Sequence, residues 1–146
     1  MKMKKDLCKQ NVEGKATEKF VAKTLKKHGY WATILPKKND GSQPCDVIGL
    51  KNNENWLIDA KHVREQEVSF PFDRIEPNQH SSFQYAKGFA NIQNTGFAIF
   101  FERDKQLYWL PYERYLKMAE NGEKSVNMKY LTLLEEVLDG ENSNRE

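Results

Sequence analysis

Two apolar runs separated by four polar residues stand in the first half of the chain. Residues 44–50 and 55–62 are built largely on Val, Ile, Leu or Trp, and residues 51–54 read Lys-Asn-Asn-Glu. Such runs predict two β-strands joined by a tight turn. Because asparagine adopts positive φ at low cost, Asn52 and Asn53 suit the primed turn that a two-residue hairpin requires. The pattern therefore predicts a β-hairpin.

The turn also sets the register of this hairpin. With residues 52 and 53 at the turn, Asp46 lies directly opposite Asp59. Because side chains alternate across a strand, Lys61 lies on the same face as Asp59. The hairpin is therefore expected to bring two carboxylates and one ammonium together at one end.

Opposed carboxylates destabilise a hairpin unless something compensates their charge. Their Cβ atoms would lie roughly 4.5–5.5 Å apart, where like charges repel. Mg²⁺ would turn this repulsion into ligation, because it binds one or two carboxylates and keeps several waters for substrate phosphates. A nearby lysine can orient a water or neutralise a phosphate. A solvated hairpin face with an exposed salt bridge fits the short pattern Asp-x-Lys about equally well.

The amino-terminal part of the chain has the periodicity of an amphipathic helix. Residues 12–28 carry one apolar face and are followed by Gly29, which suits the position after a helix. The apolar face consists of Ala16, Phe20, Val21, Thr24 and Leu25. Glu18 lies on or beside that face, so its carboxylate must be bound to metal, hydrogen-bonded or paired with a neighbouring lysine. Glu13 suits dipole compensation near the helix start.

The remaining patterns alternate between strands and helices. Strand-like composition occurs at residues 30–35, 95–102 and 106–111. Helix-like periodicity occurs at residues 76–91, 112–121 and 130–138. The predicted order is α-β-β-β-α-β-β-α-α, which gives the α/β class with a mixed central β-sheet flanked by helices. Four aromatic residues suit a core better than stacking on bases: Tyr108, Trp109, Tyr112 and Tyr115.

Composition limits the class of protein. The chain has 146 residues, of which 38% are hydrophobic and 30% are charged, as is ordinary for a soluble globular protein. We expect one domain over residues 11–140, between a flexible basic tail over 1–10 and a frayed tail over 141–146. No apolar run approaches the roughly 18 residues of a membrane span. Cys8 and Cys45 form no C-x-x-C pair and there is no secretory segment, so we expect a cytoplasmic protein without structural zinc.

Charge is distributed unevenly along the chain. Residues 1–38 contain eleven lysines and three acidic residues, whereas residues 113–146 contain eight acidic and five basic residues. A basic segment beside a carboxylate site suits a polyanion held near a metal. We therefore expect Lys15, Lys37 and Lys38 to contact DNA. A lysine-rich solvated helix face would account for most of the same lysines.

The arrangement of Glu18, Asp46 and Asp59-Ala60-Lys61 resembles the PD-(D/E)xK nuclease superfamily, which has the restriction-endonuclease-like fold. Residues 14–30, GKATEKFVAKTLKKHGY, look like its usual first helix. Within that superfamily the chain is similar to the RecU family of Holliday junction resolvases. The similarity is carried by Ser69-Phe70-Pro71-Phe72, Gln79, TGFAIFFE at 95–102, LPYERYL at 110–116 and NGEKSV at 121–126.

The resemblance implies a role for each residue of the pattern. It implies Mg²⁺, with Mn²⁺ as a substitute, held by Asp46, Asp59 and the carbonyl of Ala60, with Glu18 as a further carboxylate at the metal. Lys61 would be the catalytic lysine, and Gln79 would be the active-site glutamine of the helix after the hairpin. The expected catalytic residues are Glu18, Asp46, Asp59, Lys61 and Gln79.

The implied function is Mg²⁺-dependent hydrolysis of DNA phosphodiesters by metal-activated water, as in Holliday junction resolution during recombination and repair. Paired incisions imply a homodimer. The chain departs from the family in two ways: Asp59 stands where glutamate is usual, and residues 37–43 replace a long stalk that enters the junction. A general or fork-directed repair nuclease is therefore the alternative. A non-catalytic DNA-binding module is a third interpretation, against which the complete set of polar residues argues.

Overall fold

A computed structural model of the chain describes residues 2–38, 43–86, 88, 92 and 94–143, of which residues 2–12 and 141–143 are described by their backbone alone. The helices are α1 (Lys2–Lys27), α2 (Pro77–Ala86), α3 (Tyr112–Glu120) and α4 (Leu134–Ser143), with 3₁₀ turns at Phe72–Arg74 and Met128–Tyr130. The strands are β1 (Trp31–Ile34), β2 (Val47–Lys51), β3 (Glu54–Val63), β4 (Ser69–Pro71), β5 (Asn94–Phe101), β6 (Gln106–Pro111), β7 (Ser125–Asn127) and β8 (Thr132–Leu133).

Six of these strands form one mixed sheet in the order β1-β2-β3-β5-β6-β8. The pair β3 and β5 is parallel, and the other neighbours are antiparallel. The hairpin of β2 and β3 has the predicted register, since Lys51 pairs with Glu54 and Ile48 with Leu57. Asn52 takes the positive φ of 51° that the turn requires. The fold class predicted from the sequence is therefore confirmed.

Helices cover both faces of this sheet, which explains why its central strands are apolar at successive positions. On one face α1 packs against β3 through Val21 and Leu25, with Trp56 and Ile58 beneath it, and α4, which carries the buried Leu134, packs against β6. The opposite face is covered by α2, α3 and the small β4–β7 sheet. The main side chains on that face are Phe70, Phe83, Phe97, Phe101, Tyr112 and Val126. The sheet thus holds β3, with Asp59 and Lys61, rigidly between two cores.

Gly96 lies where β5 passes close to the end of β6. A Cβ atom at Gly96 would lie 2.4 Å from the carbonyl oxygen of Leu110, so the backbones would have to move apart. Replacing Gly96 with alanine is therefore expected to lower the free energy of unfolding by about 1–3 kcal/mol. Urea denaturation measures this difference. The matched control is Gly140→Ala in α4, where nothing lies within 4 Å of the added atom and no loss is expected.

Several predicted boundaries were wrong. The backbone is helical from Lys2, within the segment expected to be a flexible tail, and Glu13 lies well inside α1 rather than near its start. Helix α2 ends at Ala86, and residues 87 and 89–91 of its predicted extent lie outside the described residues.

The carboxyl-terminal part also differs from the prediction. The last helix begins at Leu134 rather than residue 130, because Thr132–Leu133 pairs with β6 at the sheet edge. It continues past Gly140 to Ser143, within the segment expected to be frayed, while residues 144–146 lie outside the described residues. Strands β4 and β7 were missed, because three residues are too few to show a period. Across the described residues, no helix is both long enough and apolar enough to cross a bilayer.

Candidate active site

Asp46 lies just before β2 and is fixed to β3 by two hydrogen bonds. Its amide donates to the carbonyl of Ile58 at 3.1 Å, and its Oδ2 atom accepts from the amide of Ala60 at 2.9 Å. Asp46 lies just beyond Val47 and Ile58, the last paired residues of the hairpin, and close enough to Asp59 for its charge to act on the Asp59 carboxylate. The two aspartates therefore lie together, as the turn chemistry predicted.

The Asp59 side chain is almost completely buried, with 1% of its surface exposed. Its Oδ2 atom is buried and has no hydrogen-bond partner among the described residues. Burial, with the charge of Asp46 as the second cause, raises the pKa of Asp59 to about 8, although Lys61 and Lys37 act in the opposite direction. A cation bound at Oδ2 would give this oxygen a partner and would offset the repulsion between Asp59 and Asp46.

Glu18 projects from α1 toward these aspartates and is 5% exposed. Burial is the main cause that raises the pKa of Glu18; the charge of Asp46 adds to it, and Lys37 opposes it. Oxygen donors from α1, the start of β2 and the middle of β3 thus face one another. We call Glu18, Asp46 and Asp59 the carboxylate site. Its all-oxygen donor set and its buried Oδ2 atom fit a hard divalent cation such as Mg²⁺.

The ammonium of Lys37 contacts this carboxylate site, although 54% of the side chain is exposed. Its Nζ atom is 2.6 Å from Glu18 Oε1 and also donates a hydrogen bond to Asp46 Oδ1. Burial alone lowers the pKa of Lys37, but its contacts with Asp46 and Glu18 raise it to about 12. The sequence had suggested Lys37 only as a DNA contact.

Lys61 is held at the other side of Asp59 by the segment around α2. Its Nζ atom donates to Gln79 Oε1 at 2.8 Å and to the carbonyl of Arg74 at 3.1 Å. The same Gln79 oxygen accepts from the amide of Glu76 at 3.1 Å, which fixes the glutamine. Burial is the main cause that lowers the pKa of Lys61, and the nearby aspartates oppose it. The structure therefore brings together Lys61 and Gln79, as the sequence pattern suggested.

Asp46, Asp59, Lys61 and Gln79 form the floor of an open cleft of about 840 Å³, whereas Glu18 is not among its lining residues. Its walls carry Lys37, Arg64 and Arg74 together with acidic side chains. The two arginines were missed by the sequence analysis, because they lie in a connection of mixed polarity without a motif. Lys15 and Lys38 are exposed and do not line the cleft. Ala60 does line it, beside Asp59.

A second cluster of possible metal ligands lies next to the cleft and was also missed. Glu13, His62 and Glu102 each offer one ligand atom, and these atoms lie within 4.8 Å of one another. His62 contacts Glu13 through Nδ1 and Glu102 through Nε2, each at 3.3 Å, and its ring stacks on Phe100. Glu13 thus pairs across the fold with β3, whereas we had assigned it to dipole compensation. In sequence, only the position of His62 directly after Lys61 hinted at this cluster.

Comparison with known proteins bears on the fold. No protein-family model matches the chain, and no curated protein matches it. Among solved structures, the chain is similar to Hjc of Archaeoglobus fulgidus, a Holliday junction resolvase from an archaeal hyperthermophile. The TM-score is 0.64 at 18% sequence identity, and the match covers 86% of this chain and 99% of Hjc. The chain has the restriction-endonuclease-like α/β fold.

Proposed function

We propose that the protein is a Mg²⁺-dependent DNA endonuclease that cuts branched DNA, with the four-way junction as its substrate. One observation carries the proposal: Asp46 and Asp59 share one end of a hairpin with Lys61, and an Asp59 oxygen there is buried without a hydrogen bond. A cation bound between such carboxylates would offset their repulsion. The likeness of the fold to a Holliday junction resolvase supports this choice of substrate class.

Four groups of the protein would bind the metal in the cleft. Asp46, Asp59, the carbonyl of Ala60 and Glu18 would hold Mg²⁺, with Mn²⁺ as a substitute. Bound there, the cation would supply Lewis acidity toward a phosphate oxygen and lower the pKa of a bound water. The hydrogen bonds that fix Asp46 to β3 keep its carboxylate oriented before a cation arrives.

Lys61 and Gln79 act as one unit in this proposal. The hydrogen bond from Lys61 Nζ to Gln79 Oε1 aims the ammonium along the cleft floor beside Asp59. From there the ammonium would stabilise charge that develops on the scissile phosphate, while Gln79 would orient the attacking water. Because both side chains are fixed before substrate binds, little reorganisation is needed.

Basic side chains in the cleft wall would hold DNA. Arg64 and Arg74 line the cleft and would contact the phosphate backbone. Such contacts make binding fall steeply with salt. Two incisions in one junction require two cleft floors, so we propose that the working unit is a homodimer.

A substrate panel tests the proposal. We expect Mg²⁺ or Mn²⁺ to support cleavage of a labelled four-way junction at least about tenfold faster than cleavage of a matched duplex. EDTA should stop the reaction, and light scattering should show a dimer. Equal rates on junction, fork and duplex would favour a general or fork-directed repair nuclease. DNA binding without any metal-stimulated cleavage would contradict the enzyme proposal.

A further inference from the structure

Lys37 contacts two members of the carboxylate site at once. Its Nζ atom lies 2.6 Å from Glu18 Oε1 and donates to Asp46 Oδ1. Within the part of the chain that the structure describes, Glu18 Oε1 is buried and makes no hydrogen bond of good geometry, so this ion pair is its main polar contact. Because a buried carboxylate needs a positive partner, the ammonium of Lys37 stabilises the protein without metal.

The exposure and the backbone of Lys37 allow its side chain to move away from the carboxylates. Its side chain is 54% exposed, whereas that of Glu18 is only 7% exposed. Residues 36–38 form neither helix nor strand, so moving them breaks no sheet hydrogen bonds. A lysine has a flexible four-carbon stem, which can carry the ammonium away while the backbone stays in place. Lys37 therefore differs from Lys61, which two hydrogen bonds hold at the cleft floor.

A divalent cation would compete with Lys37 for the same oxygens. When all three carboxylates of the site are ionised, Lys37 and Lys61 together leave them one charge short of neutrality. A divalent ion in the place of the Lys37 ammonium would supply the missing charge. An ammonium also cannot accept several oxygen ligands at the short distances that Mg²⁺ demands. The exchange is therefore favoured by charge and by coordination.

We propose that Lys37 is a displaceable counter-ion: it occupies the carboxylate site while metal is absent, and a divalent cation that binds Glu18 and Asp46 expels it into the cleft. This inference rests on the proposed function, because it takes the cation to bind these carboxylates. Lys37 lines the cleft, so the expelled ammonium meets the phosphate backbone of bound DNA. One side chain then couples the affinity for metal to the affinity for DNA.

Calorimetry with Mn²⁺ in the absence of DNA tests the competition. Lys37→Met removes the competing ammonium, so the Kd for Mn²⁺ is expected to fall about tenfold or more. The matched control is Lys38→Met, which removes the same charge one residue away and is expected to leave the Kd unchanged. Equal or weaker Mn²⁺ binding by Lys37→Met, with the same fold by circular dichroism, would overturn the proposal.

Amine labelling of the unaltered protein tests the displacement directly and does not depend on a variant that folds. Lys37 is expected to react slowly with an acylating reagent in EDTA and several-fold faster in saturating Mg²⁺. Peptide mass spectrometry reads both states, with Lys38 as the internal reference. Labelling of Lys37 that does not respond to Mg²⁺, while calorimetry shows Mg²⁺ bound, would overturn the proposal.

Two outcomes separate this inference from the proposed function. If the unaltered protein binds Mn²⁺ and cuts DNA but Lys37→Met binds Mn²⁺ no more tightly, only the counter-ion role of Lys37 is wrong. If neither the unaltered protein nor Lys37→Met binds a divalent cation, the metal site and the inference both fail.

Discussion

Replacing Asp59 with asparagine is expected to lower the rate of Mg²⁺-dependent DNA cleavage by at least about a hundredfold. Asparagine keeps the shape of the side chain but removes the negative charge that would hold the cation beside Asp46. Because Asp59 is buried between two cores, the neutral amide also relieves repulsion instead of opening a cavity. The variant should therefore be inactive and well folded. Single-turnover cleavage of a labelled four-way junction, with calorimetry for Mn²⁺, measures both losses.

The same Asp59→Asn variant has a stability signature that depends on pH. The pKa of Asp59 in the folded protein is raised to about 8, so the folded state holds this proton more tightly than the unfolded chain does. Without metal, the stabilisation from this proton is complete below the unfolded pKa of about 4 and is lost as pH rises through about 8. The stability of Asp59→Asn relative to the unaltered protein should therefore increase over this range.

Urea denaturation in EDTA at about pH 5 and about pH 9 checks this difference. Saturating Mg²⁺ should remove the pH dependence in the unaltered protein, because a bound cation favours the ionised carboxylate. Asp104→Asn is the control, since Asp104 lies in the β5–β6 turn away from the cleft. If Asp59→Asn retained cleavage, the carboxylate site would not be the active site.

Replacing Lys61 with methionine is expected to lower kcat on the four-way junction by about 10²–10³-fold. Methionine is of similar length and suits the partly buried position, but it cannot donate to Gln79 or stabilise charge on a phosphate. Metal affinity should change little, because Lys61 is not one of the expected ligands. Mn²⁺ calorimetry separates this variant from Asp59→Asn, which should lose both activity and metal.

Two further variants, one at Lys61 and one at Gln79, distinguish the effect of the charge of Lys61 from the effect of its position. Lys61→Arg restores a cation, but its planar fork cannot reproduce the two bonds to Gln79 and Arg74, so we expect only partial recovery. Gln79→Leu leaves Lys61 charged but without one acceptor, and a loss of about 10–100-fold is expected. Full activity in Lys61→Met would show that the ammonium has no part in the chemistry.

The local sequence predicted the hairpin well and the two ends of the chain poorly. Asn52 and Asn53 specify a tight turn, and a tight turn leaves one register for the strands on either side, so the pairing from Lys51 with Glu54 to Val47 with Ile58 followed directly. The last helix was placed wrongly, since its first predicted residues pair with the edge of the sheet instead. A short window of sequence gives no signal that its residues will pair with a distant strand.

The sequence analysis also failed to predict which side chains contact each other across the fold. His62 meets Glu13 from α1 and Glu102 from the end of β5, which are far apart along the chain. Glu18 was correctly expected to need a partner, yet the sequence could not choose between a metal and a lysine. In the structure, that partner is Lys37.

The sequence by itself determined the elements whose causes are local: an amphipathic α1 with one acidic residue on its apolar face, and a hairpin whose turn aligns two aspartates and a lysine. Only the tertiary structure decided which groups complete the site, namely Lys37 between Glu18 and Asp46, Gln79 on Lys61, and two arginines on the cleft wall. The reason is physical. Turn geometry and side-chain alternation act between neighbours, whereas these contacts arise when the burial of two apolar cores packs distant segments against each other.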